Sequence, residues 1–389
     1  MKAQYEIHLY SNTGVYLKTL TSRITSLEWR RRLGDVGNFE LTLSDRIKPV
    51  DTSLFQLNGR VLIYRKAHAG AAARLEFMGF IRGWDFETDK RGVTRYKWFG
   101  PDQNDILASR TCFKADASYM LWRHGYTNYA DTVMRLMVED NLGAGGTTGV
   151  TNLTARNIVT SNTAGLTVSI EPSGTATQCG TAGMITWPSP GMNLLANLQG
   201  LSLASRGYVA AGSTAAVPVY FDLMLHEPTK LTFRCVSPRL GIDHRWNAAI
   251  PVYFGVDYGN LVEPRWRFDR THEVNAGVAL FENQAGSDLS WAVGSAATEA
   301  PLNRRENSTW ATDWLNGRAQ QLVEEGTPKH EFTGKIKDTL GCRYGIHWGM
   351  GDEVSVVYLK QRYDVRIASV GAVCKSGAEH LTPEFEVIQ

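Results

Sequence analysis

Apolar and polar residues alternate along the first hundred residues, and this period of two predicts antiparallel β-strands. Tyr5, Ile7 and Leu9 are separated by polar neighbours, and the same pattern recurs over 39–43. Residues 61–64 instead form an unbroken apolar run, which predicts a strand buried on both faces. Short strands separated by polar turns that contain glycine indicate a barrel or a sandwich rather than a parallel α/β sheet.

Later segments continue the β pattern and add three helices. Apolar residues three and four positions apart predict helices over 131–141, 192–206 and 310–325. Their apolar stripes, which include Met134, are expected to pack in the core. Further strands are expected at 27–29, 75–86, 93–99, 166–170, 217–225, 230–236, 331–336, 354–358, 363–372 and 385–387, and a short helix at 106–107.

At 389 residues the chain is too long for a single core, and roughly two to four domains are expected. The predicted fold class is mainly β with a few helices, arranged as two tube-like antiparallel β-barrels with peripheral α/β lobes. The stretch 143–190 holds too few apolar residues for a core of its own. The expected division is a first barrel over 1–112, a helix with a Gly/Thr/Ser-rich peripheral lobe over 113–190, an α/β connecting lobe over 191–255, and a second barrel with one long helix over 256–389.

The charge balance narrows the range of functions. A formal net charge of +2 provides no strong basic field, which argues against a sequence-specific nucleic-acid binder. The one arginine triplet, residues 30–32, is interpreted as the solvated start of a loop. The N-terminal residues lack an apolar signal core and no long uncharged apolar run follows. We therefore expect neither a cleaved export signal nor a membrane-spanning segment.

The cysteines are widely separated along the chain. They are Cys112, Cys179, Cys235, Cys342 and Cys374. None forms a Cys-x-x-Cys pair, so a zinc knuckle or thioredoxin-like chemistry has no support. Reduced thiols in a protein that folds in a cytoplasm are the simplest interpretation.

The motifs of common enzymes are incomplete. A zinc-binding helix needs a second histidine four residues after the first, and none of the three His-Glu dipeptides has one. The dipeptides begin at His226, His272 and His330, and the positions four residues on hold Lys230, Ala276 and Gly334. The glycines at 143–146 lack the Gly-Lys-Ser/Thr of a phosphate loop, and no Gly-x-Ser-x-Gly elbow occurs. We therefore assign no catalytic, cofactor-binding or metal-binding residue and predict that the chain is not an enzyme.

Carboxylates beside aromatic residues need separate consideration, because a glycosidase requires only two acids across a sugar. Three such pairs occur, namely Trp84 with Asp85, Trp266 with Asp269, and Asp313 with Trp314. Each is interpreted as structural, because neighbouring strand residues point to opposite faces and Trp314 has a core position in its predicted helix. The same alternation argues against Asp243, His244 and Arg245 as a proton relay.

Six segments, taken in order, resemble one known family. They are 27–43, 77–81, 100–110, 240–245, 259–261 and 344–354. Each is short, and their order and spacing over nearly the whole chain carry the resemblance. They are similar to the tail-tip hub proteins of long-tailed phages (siphoviruses), which are related in fold to the baseplate hub of contractile phages. The stretch 143–190 has no counterpart in that pattern.

The resemblance implies a structural protein of the virion tail tip. The implied assembly is a homotrimeric hub ring that joins a sixfold tail tube or distal tail ring to a threefold spike or fibre. The ring would form part of the DNA exit channel, with transient, non-specific passage of genomic DNA. The strands expected to face the tube lie within 27–43, 75–99 and 354–373, where Ser355 is expected to face water.

The same resemblance implies the partners and the location. The partners would be the distal tail or tail tube protein, the tape measure protein, and spike or fibre proteins, after folding in the host bacterial cytoplasm. Two alternatives stay open, a carbohydrate-binding β-protein and a tail-associated glycoside hydrolase that acts on the host surface. Either one would need acids and exposed aromatic residues that converge in one cleft.

Overall fold

The computed structural model describes most of the chain, and every structural statement below concerns the described residues. These are 3–22, 24–46, 49–68, 70–112, 126–142, 167–171, 185–187, 192–207, 218–227, 229–282, 289–294, 305–310, 315–327, 329–375 and 378–388. The predicted fold class is confirmed, since strands dominate and helices are few. Strands and helices are numbered in chain order.

The first hundred residues form two sheets that face each other. One sheet contains β1 (Gln4–Tyr10), β2 (Tyr16–Leu20), β5 (Arg60–Lys66) and β6 (Arg74–Phe80). The other contains β3 (Ile24–Arg32), β4 (Asp35–Ser44), β7 (Gly83–Thr88) and β8 (Thr94–Pro101), and a 3-10 turn (Thr52–Leu54) follows β4. The predicted alternation is confirmed, because Ile7, Leu9 and Trp29 are fully buried in one shared core.

The two sheets come into close contact where β6 meets β8, and glycine is required there. An antiparallel bridge joins Gly79 to Asp102. A Cβ atom on Gly100 would lie 1.9 Å from the carbonyl oxygen of Phe80, and one on Gly79 would lie 2.5 Å from the ring of Phe39. Only residues without a side chain permit this approach, so the glycines allow the sheets to join along one side.

The C-terminal part of the chain adds a second set of strands. They are β14 (Asp243–His244), β15 (Tyr253–Gly255), β16 (Leu261–Asp269), β20 (Lys329–Ile336), β21 (Glu353–Tyr358), β22 (Gln361–Lys375), β23 (Ala378–Leu381) and β24 (Glu384–Val387). The first residues of β22 pair with β21, and its last residues pair with β3. One sheet therefore continues through both parts in the order β16-β20-β23-β22-β3-β4-β8-β7, and we call it the long sheet.

A layer of helices and short strands covers part of this framework. It contains α1 (Asp105–Ala108), β9 (Tyr126–Asn128), α2 (Ala130–Leu142), β10 (Thr167–Ile170), β11 (Ile185–Trp187), α3 (Leu194–Gly207), β12 (Tyr220–Glu227) and β13 (Lys230–Val236). The methionine stripe of α2 packs in the core as predicted, since Met134 and Met137 are fully buried. Trp187 is also fully buried, and its Nε1 donates to Asn197 Oδ1 at 3.1 Å. The stretch 143–190 thus contributes at least one core side chain.

A small lobe lies between β16 and β20 in the chain. It contains β17 (Ala276–Glu282), β18 (Leu289–Gly294), β19 (Glu306–Trp310) and α4 (Leu315–Glu325). The helix predicted over 310–325 begins later than expected, because Trp310 still pairs with Leu280 in the β17–β19 ladder. The predicted end is confirmed, since Gly326 follows the helix and its N–H donates to the carbonyl of Leu322.

Two further strand predictions are wrong in detail. The single strand expected over 75–86 is two strands in different sheets, because the Ile81 N–H donates to Gly59 at 2.9 Å and the Ile81 carbonyl accepts from Asn58. Ser355 does not face water. It is fully buried, and its hydroxyl donates to Asp364 Oδ1 at 2.7 Å, because β21 is covered on both faces.

Candidate functional site

The long sheet presents an apolar face to the core and a polar face to the outside. Leu27, Trp29 and Leu41 are fully buried in the core, whereas the alternate residues Glu28 and Glu40 point the other way. Directly opposed residues on paired strands share one face of a sheet, so the pairing register identifies the members of the polar face. Its charged members include the acids Glu28, Glu40, Asp85, Glu87, Glu331 and Glu384 and the bases Arg30, Arg95, Lys97, Arg265, Arg267, Lys335 and Lys375.

Acids and bases are both present on the polar face, and some of them form ion pairs. Lys97 Nζ lies 3.2 Å from Glu40 Oε1, and Arg30 forms an ion pair with Glu384. Exposed pairs of this kind contribute little to the free energy of unfolding. Their effect is on the electrostatic field, because a cation beside a carboxylate attracts a phosphate backbone less than an isolated cation does.

The strand β7 forms one open edge of the long sheet and pairs only with β8 among the described strands. On its core side, Trp84 and Phe86 remain 49% and 42% exposed. On the polar face it carries Asp85 and Glu87, which are both exposed. A strand edge with half-exposed aromatic residues is a surface that another chain can cover.

The strand β16 forms the opposite edge and pairs only with β20 within the described part of the chain. Arg265 and Arg267 of this strand are exposed on the polar face. Glu263 has a φ of 52° at a register shift beside Pro264, which lacks a backbone donor. Because of this bulge, only the part of β16 after Pro264 has a regular open edge with which another strand can form backbone hydrogen bonds.

A buried ion-pair network joins the two parts of the chain below the long sheet. The side chain of Arg65 in β5 is 2% exposed and donates to both carboxylate oxygens of Glu379 at 2.8 and 2.7 Å, and to Asp338 at 2.9 Å. Tyr5 also donates to Glu379. Burial lowers the pKa of Arg65, but the bonds to Glu379 and Asp338 outweigh it, so this pKa lies above its ordinary value. Sequence reasoning missed the network, although an arginine in a buried strand was a signal for it.

A cavity of about 400 Å³ lies where the two parts of the chain meet the helical layer. Arg31, Glu76, Asp222 and Arg234 are among the residues that line it. Burial raises the pKa of Glu76, and Arg31 NH2 lies 3.4 Å from Asp222 Oδ1. The expectation that 30–32 begin a loop is therefore wrong, since these residues end β3 and Arg31 points into this junction.

Next to this junction lies a second buried carboxyl group, that of Asp102. Asp102 is 0% exposed, and its Oδ1 accepts the N–H of Asn104 at 3.0 Å. Burial raises the pKa of Asp102 to about 7, and nearby Arg31 offsets only part of that effect. The side chain thus changes charge near neutral pH inside the packed protein.

Of the three acid–aromatic pairs in the sequence, the two that the structure describes do not converge on one cleft. Trp266 packs against Tyr363 at a ring distance of 4.2 Å, and Asp269 accepts the N–H of Thr271 at 2.8 Å. Trp84 and Asp85 lie on the open β7 edge. The pair at 313–314 lies outside the described residues.

Two of the three residues at 243–245, which the sequence pattern argues against as a proton relay, form a local ion pair. Asp243 accepts two bonds from the Arg245 guanidinium, at 2.9 and 2.8 Å, and these bonds hold the pKa of Asp243 below its ordinary value. His244 Nδ1 instead lies 2.7 Å from the carbonyl oxygen of Ile250. His272 precedes Glu273, which pairs with Arg270, while the side chains at 226 and 330 lie outside the described set.

The cysteines and the helices offer neither a metal site nor a membrane span within the described residues. Within the described ranges no three His, Cys, Asp or Glu side chains are grouped so that they could hold a metal ion. Burial raises the pKa values of the Cys342 and Cys374 thiols to about 12, so neither is a reactive thiolate at neutral pH. Of the helices the structure describes, none has the length and apolar character needed to cross a bilayer.

Comparison with known proteins places this architecture. No family model matches the sequence, and no curated protein matches it. A tail protein from Neisseria meningitidis MC58 is similar in structure, with a TM-score of 0.55, 11% identity, and coverage of 99% of this chain and 96% of that one. The 43 kDa tail protein of prophage MuSo2 from Shewanella oneidensis gives a TM-score of 0.56, 11% identity and the same 99% and 96% coverage.

A Francisella PdpA–VgrG complex contains a third similar chain. Its TM-score is 0.51 at 10% identity, and the match covers 100% of this chain and 58% of that one. The chain therefore has the fold of these tail proteins. The fold resemblance that the six sequence segments suggested is confirmed.

Proposed function

We propose that the chain is a structural component of a phage tail tip, a hub that assembles as a trimeric ring. The observation that carries the proposal is the fold, because the likeness to two tail proteins, one of them from a prophage, covers 99% of this chain and 96% of each of them. With tube-like barrels at 1–112 and 256–389, three protomers present six similar units. Such a ring can match a sixfold tail tube or distal tail ring on one side and a threefold spike or fibre on the other.

The polar face of the long sheet suits the lining of a DNA exit channel. A channel wall must be wettable, but each uncompensated cation would add a phosphate contact and slow the passage of DNA. On the polar face Lys97 and Arg30 each have a carboxylate partner. A wall of this composition permits transient, non-specific contact without tight binding.

The same proposal assigns the chain no catalytic role and a place at the virion tail tip, after folding in the host bacterial cytoplasm. Its partners would be the distal tail or tail tube protein, the tape measure protein, and spike or fibre proteins. The helical layer and the lobe between β16 and β20 would form the periphery of the ring. We also propose that the tail is that of a long-tailed phage (a siphovirus).

The deciding experiment is a mass measurement on the purified full chain, by light scattering at dilute concentration, together with negative-stain images. We expect a mass three times that of the chain and rings with a central hole. Virions of the phage that encodes the chain should contain the protein at the tail tip, as located by labelled antibody. A stable monomer that is absent from tails would refute the proposal.

A further inference from the structure

We propose that β7 of one protomer pairs in antiparallel orientation with β16 of a second copy of this chain. The inference rests on the proposed ring and names the surface that closes it. Within the described residues each of these strands has a single partner, and they form the two ends of the long sheet. An open edge presents a row of backbone donors and acceptors that another strand can complete.

The directions of the strands permit this contact. Each neighbouring pair along β16-β20-β23-β22-β3-β4-β8-β7 is antiparallel, so the two end strands of this even-numbered series run in opposite directions. A copy rotated about an axis parallel to the strands keeps its strand directions. Its β16 therefore meets β7 in the antiparallel orientation, and the contact can repeat from copy to copy until the ring closes.

Charge favours this head-to-tail contact over a contact between two identical edges. On the polar face, β7 carries Asp85 and Glu87, which form no ion pair among the described residues, and β16 carries Arg265 and Arg267. Arg267 also lies 2.6 Å from Asp269 and 3.9 Å from Glu331 of its own protomer, and its guanidinium is half-exposed, so Arg265 is the main attraction for the acids of β7. Two β7 edges would oppose carboxylates to carboxylates, and two β16 edges would oppose guanidinium groups, and both arrangements are repulsive. In the antiparallel head-to-tail register, the two-residue spacing on each strand places Asp85 beside Arg267 and Glu87 beside Arg265.

Apolar surface on the same edge supports the choice of occupant. Trp84 and Phe86 continue an aromatic row from the core, since the Phe86 ring lies 5.5 Å from Trp98 and 5.0 Å from Tyr96. Trp98 is 1% exposed, whereas Trp84 at the edge is 49% exposed. A strand laid against β7 would bury the two outer rings, and the complementary charges for that strand are found in this chain itself.

The test uses charge reversal on the full-length chain. The double variants Asp85→Lys/Glu87→Lys and Arg265→Glu/Arg267→Glu should each weaken self-association on the order of a hundredfold at low salt, as measured by sedimentation. The quadruple variant, in which both edges are reversed, should restore the association. The control Glu139→Lys/Glu227→Lys changes the net charge by the same amount as Asp85→Lys/Glu87→Lys but lies in the helical layer, and it should associate like the wild type.

Circular dichroism establishes that each variant is folded, and salt provides a second measurement on the wild type. The wild-type oligomer should weaken between low salt and about 1 M NaCl, whereas a purely apolar contact would tighten. Double variants that keep the wild-type mass, or a folded quadruple variant that stays dissociated, would overturn the edge pairing. Neither result would contradict the proposed ring. A wild type that is monomeric both in solution and in virions would instead remove the proposed function.

Discussion

Replacing Arg65 with methionine should destabilise the protein more than almost any other single change at the junction of its two parts. The variant keeps the aliphatic stem but removes the guanidinium that bonds to Glu379 and Asp338. Both carboxylates then stay in a site that is poorly solvated. The side chain of Glu379 is 13% exposed and that of Asp338 is 23% exposed.

The expected cost follows from that geometry. Removing one partner of a buried ion pair costs about 3–5 kcal/mol, because it leaves an uncompensated charge in a low-dielectric site. Asp338 can still reach water, so the lower part of this range is expected. The double variant Arg65→Met/Glu379→Gln leaves no buried net charge at Glu379, and it should recover at least half of the loss.

The assay is urea unfolding monitored by tryptophan fluorescence and by circular dichroism. Arg65 lies on β5, and its partners follow β20 and lie on β23, so the network couples the two parts of the chain. For the wild type, the fluorescence and circular dichroism curves should coincide in one transition. For Arg65→Met, the two curves should have different midpoints. A loss below about 1 kcal/mol, with both probes still coincident, would refute the reasoning, because surface substitutions alone give effects of that size.

Two further predictions concern buried side chains. The fold favours protonated Asp102, whose pKa is raised to about 7, so the free energy of unfolding should rise by on the order of 2 kcal/mol as the pH falls from 8 to 5. Asp102→Asn should flatten this dependence in thermal melts at each pH, and an unchanged slope would contradict the assignment. Trp187→Ala should cost about 3–5 kcal/mol and Trp187→Phe clearly less, as measured by urea midpoints. Equal stability of the alanine variant would show that 185–187 is not part of the core.

The alternation of apolar and polar residues correctly predicted the strands that have one face on the core and one face in solvent. Ile7 and Leu9 alternate with polar residues because only one face of β1 meets the core, and sequence shows that directly. The same logic fails at Ser355. Its neighbours Val354 and Val356 are buried, so alternation predicts that Ser355 faces solvent, but it is buried as well. Its environment depends on Asp364 and on the segment before β15, and no local pattern encodes either contact.

The other features that the sequence did not predict depend on pairing between residues that are distant in the chain. Ile81 ends a strand because it bonds to Asn58 and Gly59, and apolar residues alone would have continued the strand. The open edges that form the candidate site are defined only once the strand order is known. Asp85 and Arg267 are far apart in the sequence. They become candidates for one interface only because they lie on the two end strands of the same sheet.

The pairing of β3 with β22 also has a consequence for folding during synthesis. Trp29 emerges from the ribosome long before its partner Ala372 has been made. Until then the β3 side of an otherwise complete N-terminal pair of sheets is an unprotected template for other nascent chains. Translation that stalls before β22 should thus yield aggregating fragments rather than a soluble half-protein. Synthesis of β22 is then the step that covers this exposed edge.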